Sequence, residues 1–350
     1  MSWWQEDDED EDVYDESTVR VRPNPKANRP RTKIRPKHED AATGRVYAVD
    51  RGRYRVTVDG TGGDRVELSC VRARELRRQP IVNGDRVDVV GDLSGDEGTL
   101  ARIVRITERS TVLRRSADDT DDVERIVVAN ADQLLIVVAA ANPEPRARLV
   151  DRYLVAAYDA GISPMLCITK TDLADPEPFL ANFAGLDIPV FRSRTGLVPV
   201  DEIREALDGH ETVFVGHSGV GKSTLVNAIV PGANRATGHV NVVTGRGRHT
   251  SSSTVSYPLG GGSAGWVIDT PGVRSFGLGH VDPANILRSF TDLAAIAADC
   301  PRGCTHLPDA TDCALVTAER EGRLSAAETA RLDSLQRLLE TFATRSSPGE

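Results

Sequence analysis

The sequence predicts a multi-domain protein: a small N-terminal β-barrel, a central α/β domain with a mostly parallel sheet, and a C-terminal α-helical segment. Three observations carry this. Between Thr43 and Arg109, five short alternating segments are separated by glycine-bearing breaks. From about Ser110, apolar runs alternate with helical patterns, and one run leads into Gly216-His217-Ser218-Gly219-Val220-Gly221-Lys222-Ser223. After about Val281, helical periodicity surrounds three clustered cysteines.

The 350 residues are 39% hydrophobic and 27% charged, ordinary for a globular chain with a sizeable core. The longest apolar run, Leu134 to Ala141, is too short to span a bilayer. The first residues are acidic where a secretory signal would be basic and then apolar. A cytoplasmic protein with no membrane partner is the expectation. The net charge of −9 conceals an asymmetry in residues 1–42, which read as a disordered tail. Residues 6–16 hold nine carboxylates and no Lys or Arg, and residues 20–37 hold eight Lys or Arg and no carboxylate. Such blocks stay solvated. The tail reads equally as a phosphate-backbone contact shielded by its acidic neighbour and as a solubility tail.

Residues 43–109 hold the barrel segments: Arg45–Val49, Arg53–Val58, Arg65–Leu68, Arg86–Val90 and Ala101–Ile106. Five strands in so short a stretch fit an OB-fold best, with an SH3-like barrel as the alternative. Arginines interleave the strands, as on a nucleic-acid-binding barrel or any solvated face.

Residues 110–279 form the α/β part. Leu134–Val138 and Met165–Thr169 read as buried parallel strands, Asp151–Ala160 and Val200–Leu207 as helices, and Trp266–Asp269 as a later strand. Gly216 to Ser223 fits G-x-x-x-x-G-K-S/T, with the strand-like Val213-Phe214-Val215 before it and helical spacing from Thr224 after it. The glycines let successive N–H groups turn towards phosphate oxygens, and the helix start adds partial positive charge. Lys222 is placed to reach the β- and γ-phosphates, and the Ser223 hydroxyl to ligate Mg²⁺.

The base is read from Thr169-Lys170-Thr171-Asp172, which follows a strand directly. A carboxylate there accepts from the guanine ring N–H and its exocyclic amine, which adenine does not match. Ser193-Arg194-Thr195-Gly196 is placed to offer a backbone donor to guanine O6. Asp269-Thr270-Pro271-Gly272 ends a later strand, with Asp269 reading as a Mg²⁺ partner through water and the Gly272 N–H as a γ-phosphate sensor. The order is inverted: the guanine-reading element precedes the phosphate loop. Circular permutation of a P-loop GTPase domain accounts for it.

With these motifs in this order, a barrel before them and a cysteine cluster after them, the chain resembles the circularly permuted, ribosome-small-subunit-dependent GTPase family called RsgA or YjeQ. The resemblance runs from Thr43 to the C-terminal helix. It implies an OB-fold, a permuted G domain and a zinc-bearing helical domain over residues 280–350. It also implies GTP hydrolysis stimulated by the small (30S) ribosomal subunit, late maturation of that subunit, and contact with its 16S rRNA. The family's first switch matches Gly247-Arg248-His249-Thr250. Thr250, or its neighbour Ser251, then matches the Mg²⁺-sensing hydroxyl. His249 is a candidate for orienting the attacking water, and a contact to RNA or phosphate is the competing reading. Val273 stands where ordinary GTPases carry glutamine, so slow intrinsic turnover follows. Thr169 replaces the usual asparagine and keeps one side-chain oxygen for the phosphate loop.

Cys300-x3-Cys304-x-His306-x6-Cys313 offers three thiolates and one imidazole, a closed set suited to one structural Zn²⁺. The family pattern is one residue longer in its first interval and one shorter in its last. Ser325 and Glu328 have capping-box spacing before a stripe of Leu332, Leu335, Leu338, Leu339 and Phe342.

The leading expectation is a monomeric GTPase that cycles between GTP and GDP and assists small-subunit assembly. A GTP-gated RNA-binding module with incidental hydrolysis is the second reading. A P-loop ATPase or small-molecule kinase is the third, and Asp172 speaks against it.

Overall fold

The computed structural model describes residues 38–346 apart from 51, 61–64, 77–78, 117–123, 234–253, 271–275, 277 and 279–280. The tail expected over most of 1–42 and the expectations for His249, Thr250 and Gly272 lie outside the described residues.

The first strands close on themselves. β1 (Ala42–Asp50), β2 (Arg53–Asp59), β3 (Arg65–Arg72), β4 (Arg86–Gly91) and β5 (Ala101–Ile106) follow one another in the chain. β1 pairs antiparallel with β2 and β4, β2 with β3, and β4 with β5, while β3 pairs parallel with β5. The ring is therefore complete. Alternation fills it: Tyr54, Val56 and Val58 of β2 point inward beside Leu68, Val87, Val89 and Ile103, while Arg53 and Arg55 face out.

A hairpin of β6 (Val112–Ser116) and β7 (Glu124–Ala129) comes next, where the sequence showed only the onset of α/β rhythm. The main sheet then takes β8 (Gln133–Ala139), β9 (Ser163–Thr169), β10 (Val190–Arg192), β11 (Glu211–Val215), β12 (Val255–Gly260) and β13 (Ser263–Asp269). Its order is β10-β9-β8-β11-β13-β12. All of these are parallel except β12, which runs antiparallel to β13. The expected strands and helices are present, with the helix after β8, α1, running over Ala147–Asp159.

Both faces of the sheet are covered at its centre, so β8, β9 and β11 are largely apolar and buried. On β8, Leu134, Ile136 and Val138 enter one core while Leu135, Val137 and Ala139 enter the other. The second core is closed by α3 (Val200–Leu207) and α4 (Lys222–Ile229) through Ile203, Leu207, Leu225 and Val226. The short α2 (Glu177–Leu180) lies on the first side, where Leu180 is buried.

The first core continues into the C-terminal helices α5 (Pro283–Arg288), α6 (Thr291–Ala297), α7 (Ala314–Arg320) and α8 (Ala326–Ser346). Leu332, Leu335, Leu338 and Leu339 of α8 are buried in it with Tyr153 and Leu154 of α1. Phe276, downstream of β13, packs edge-on against Tyr153 at 5.7 Å between ring centroids. The start of α8 is fixed reciprocally: the Glu328 N–H donates to the Ser325 hydroxyl (3.2 Å), and the Ser325 N–H donates to the Glu328 carboxylate (2.8 Å).

Barrel and sheet meet at a buried charged seam. Ala48 of β1 bridges to Val255 of β12. Beside it, Arg45 donates to Glu211 at 2.8 Å and Arg86 to the other carboxylate oxygen at 2.7 Å. Arg45 is 3% exposed, its guanidinium lies 4.1 Å from the Trp266 ring centroid, and its Nε and Nη1 find no hydrogen-bond acceptor. Burial pushes its pKa down to about 10, which leaves it charged at neutral pH. The cation is thus paired with one carboxylate and one aromatic face, while two of its donors stay without an acceptor. Removing that carboxylate in Glu211→Ala is expected to cost about 3–5 kcal/mol in urea unfolding, because a buried charge loses its partner. Arg86→Ala, which removes the half-exposed partner, is expected to cost under about 1 kcal/mol.

Candidate nucleotide-binding site

The carboxyl ends of parallel strands share one edge of the sheet, and a crevice there is the usual ligand position. β11 ends at Val215 and the chain turns through Gly216–Gly221 into α4. Two glycines are sterically required. A Cβ at Gly216 would lie 2.4 Å from the Val137 carbonyl oxygen of β8, so the turn could not sit against that strand. Gly221 adopts φ +92° immediately before the first helical residue, Lys222. Ser223 and Thr224 occupy the first turn of α4, whose N–H groups have no intrahelical acceptor. His217 and Ser218 lie in the turn, with the His217 ring within 3.0 Å of the Ser218 carbonyl oxygen. Val220 is buried in the second core.

The segment after β9 is bound to this turn. Thr169 is buried, and its hydroxyl donates to the Val220 carbonyl. The Lys170 ammonium donates to the Gly219 carbonyl at 2.9 Å and also to the Asn142 carbonyl. Asn142 follows β8 at the same edge, a position its sequence did not single out. Lys170 holds a left-handed backbone at φ +55°, which turns the chain sharply at the strand end.

Asp172 and the loop after β10 form a second unit. The Thr195 N–H donates to one Asp172 carboxylate oxygen at 3.2 Å, and the Thr195 hydroxyl to the other at 3.0 Å. These bonds, the backbone N–H of Thr195 foremost, hold the Asp172 carboxyl below the usual carboxylate range, so it is an acceptor at neutral pH. The Thr171 N–H donates to the Ser193 carbonyl at 3.2 Å, and Arg194 and Leu197 exchange backbone bonds at 3.0 Å around Gly196. Both loops are therefore held in register with each other.

Asp269 closes the edge. It ends β13, is 1% exposed, and forms an ion pair with Lys222. The next residue, Thr270, donates from its hydroxyl to the Phe214 carbonyl at 2.9 Å. The arrangement brings together the Gly216–Gly221 backbone, Lys222 and Asp269 at one edge, and the Asp172 carboxylate, paired with Thr195, after β9.

The cysteine cluster lies apart from this edge, beside α7. Cys300 Sγ is 3.9 Å from Cys313 Sγ and 3.6 Å from His306 Nδ1, and Cys313 Sγ is 3.7 Å from His306 Nδ1. With Cys304, all four donor atoms lie within 4.8 Å of one another. A tetrahedron with Zn–S near 2.3 Å and Zn–N near 2.05 Å has edges of about 3.8 and about 3.6 Å, so the donor set suits zinc. Burial lowers the His306 pKa, which favours the neutral ligand form. The Ala314 N–H donates to Cys300 Sγ at 3.2 Å, as amides do to metal-bound thiolates.

A family model described as RsgA GTPase matches residues 106–279. A Pseudomonas aeruginosa protein named small ribosomal subunit biogenesis GTPase RsgA is 39% identical over 256 residues, covering 70% of this chain and 71% of that one. Its namesake from Azotobacter vinelandii is 37% identical over 278 residues, covering 77% and 78%. Among solved structures, YjeQ from Thermotoga maritima superposes with a TM-score of 0.61 at 24% identity, over 87% of this chain and 99% of that one. YloQ, described as a circularly permuted GTPase, gives 0.61 at 23% identity, over 90% and 99%. The permuted motif order and this extent of shared sequence agree: the chain belongs to the RsgA GTPase family and is a GTP-hydrolysing enzyme.

Proposed function

We propose that the protein is a late-stage assembly factor of the small (30S) ribosomal subunit that binds its 16S rRNA and hydrolyses GTP when engaged by the subunit. The observation that carries the nucleotide part is the joint fixation of phosphate loop and base-reading loop by Thr169 and Lys170. The ribosomal part is supported by the names of the relatives. We read the closed ring β1–β5 as an OB-fold, a barrel type that binds nucleic acid, because its strands pair in the order 1-2-3-5-4-1 with β3 parallel to β5.

In this reading Asp172 accepts from the guanine N–H groups, and the phosphate-loop amides with Lys222 hold the β- and γ-phosphates. Ser223 and Asp269 hold Mg²⁺, which when bound neutralises charge on the phosphate oxygens. Water attacks the γ-phosphorus, the bond to the bridging oxygen breaks, and GDP and phosphate leave. Orientation of that water falls to His249 or to a group of the subunit, Thr250 supplies the metal-sensing hydroxyl, and the Gly272 N–H senses the γ-phosphate. Cys300, Cys304, His306 and Cys313 hold one structural Zn²⁺.

Three measurements test this. GTP turnover is expected to rise at least about tenfold with purified small subunits, with no rise for ATP; equal turnover of both nucleotides would overturn the guanine assignment. Asp172→Asn is expected to weaken GTP binding by roughly 100-fold and to improve binding of xanthosine triphosphate, whose C2 carbonyl accepts from the new amide. Metal analysis is expected to find one zinc per chain. Cys313→Ser is then expected to lose it and to raise amide exchange in α7, with GTP affinity within about threefold of wild type.

A further inference from the structure

Gln336 is a buried polar residue on an apolar helix face. It lies on α8 at helical spacing from the buried Leu332 and Leu339, and is itself 7% exposed. A leucine there would continue the stripe. The glutamine instead donates from its side-chain amide to the His306 carbonyl at 3.2 Å. Burying an amide is unfavourable unless such bonds are made. The backbone it holds is strained: His306 sits in the left-handed region at φ +56°, which a residue with a Cβ keeps only where its surroundings fix it. Nδ1, the ring nitrogen nearer the main chain, is the one that faces Cys300 and Cys313, at 3.6 and 3.7 Å from their sulfurs. Its position therefore follows the His306 backbone closely. Gln336 has a fixed base. Leu335 and Leu338 are fully buried in the first core, and Arg337 pairs with Asp151 of α1 at 3.2 Å.

We propose that Gln336 is a positioning residue of the zinc site: by holding the His306 carbonyl, it sets where Nδ1 stands relative to the three sulfurs. The inference rests on the zinc reading given above. It makes α8, which supplies none of the four donors, part of what determines metal affinity. By linkage, zinc binding in turn stabilises the docked position of α8.

The test is the zinc affinity of the full-length protein, by competition with a chromophoric chelator, in wild type, Gln336→Met and Gln336→Leu. Both variants remove the donor while keeping an apolar side chain of similar volume on the buried face. Each is expected to bind zinc at least about tenfold more weakly, the usual cost of losing an outer partner of a metal ligand. Thermal unfolding in excess chelator separates this from a packing role. Metal-free variants are expected to melt no lower than metal-free wild type, because the partly exposed His306 can then turn its carbonyl to water. Unchanged zinc affinity in either variant would overturn the inference. Lower melting of the metal-free variants would overturn it too, and would assign Gln336 to packing. A wild-type protein that binds no zinc would instead overturn the metal reading itself, and this inference with it.

Discussion

The parallel pairing of β11 between β8 and β13 is the constraint on which the rest depends. Thr212 lies opposite Gln133 on one side and Val267 on the other, so the three strands end at one edge. Each described segment of the candidate site extends a strand past that edge: Asn142 after β8, Thr169–Asp172 at and after β9, Ser193–Gly196 after β10, Gly216 after β11, Thr270 after β13. The site is therefore specified by strand position and not by chain order. Permuting the sequence leaves it unchanged provided the strands keep their neighbours, and the close approach of Gly216 to Val137 fixes how tightly β11 must lie on β8.

Among the described residues, buried carboxylates are paired with cations in several places. Arg45 with Glu211 joins the barrel to the sheet, and Arg337 of α8 with Asp151 of α1, at 3.2 Å, joins the C-terminal helices to it. In each, burial raises the carboxyl pKa and the arginine opposes that shift, and the guanidinium also lies near an aromatic ring, Trp266 or Phe183. Lys222 and Asp269 also pair, at the edge where the parallel strands end.

How much of this was legible in the sequence depends on how local each requirement is. The candidate phosphate loop is conspicuous because its glycines, lysine and serine fall at fixed spacing within Gly216–Ser223. The helix over Val200–Leu207 was readable from its period. The hairpin β6–β7 was not resolved, since its strands alternate only weakly between the surrounding apolar runs. Strand β12 carries Pro258 and Gly260, which demote a strand by pattern; it is tolerated because β12 meets β13 on one side and β1 only at Ala48 on the other. The Arg45–Glu211 seam spans 166 residues and leaves no local trace. Asn142 was missed for a different reason: its backbone carbonyl, not its side chain, is what Lys170 uses. Its place three residues after the end of the buried strand β8 was the signal that marked it.

The inverted order also fixes when the site comes into existence. A chain made from its N-terminus completes the ring of β1–β5 at Ile106, long before any part of the phosphate loop has been synthesised. β8 and β9 follow, and Asp172 emerges with the edge of β8 still lacking the strand that will lie beside it. β11 fills that edge, and β13 delivers Asp269 last of the described site residues. In an unpermuted domain the phosphate loop is among the first segments made, and a nucleotide can hold a partly built sheet together. Here β1 to β11 are all made before the phosphate loop, so no nucleotide bound there can assist their first pairing.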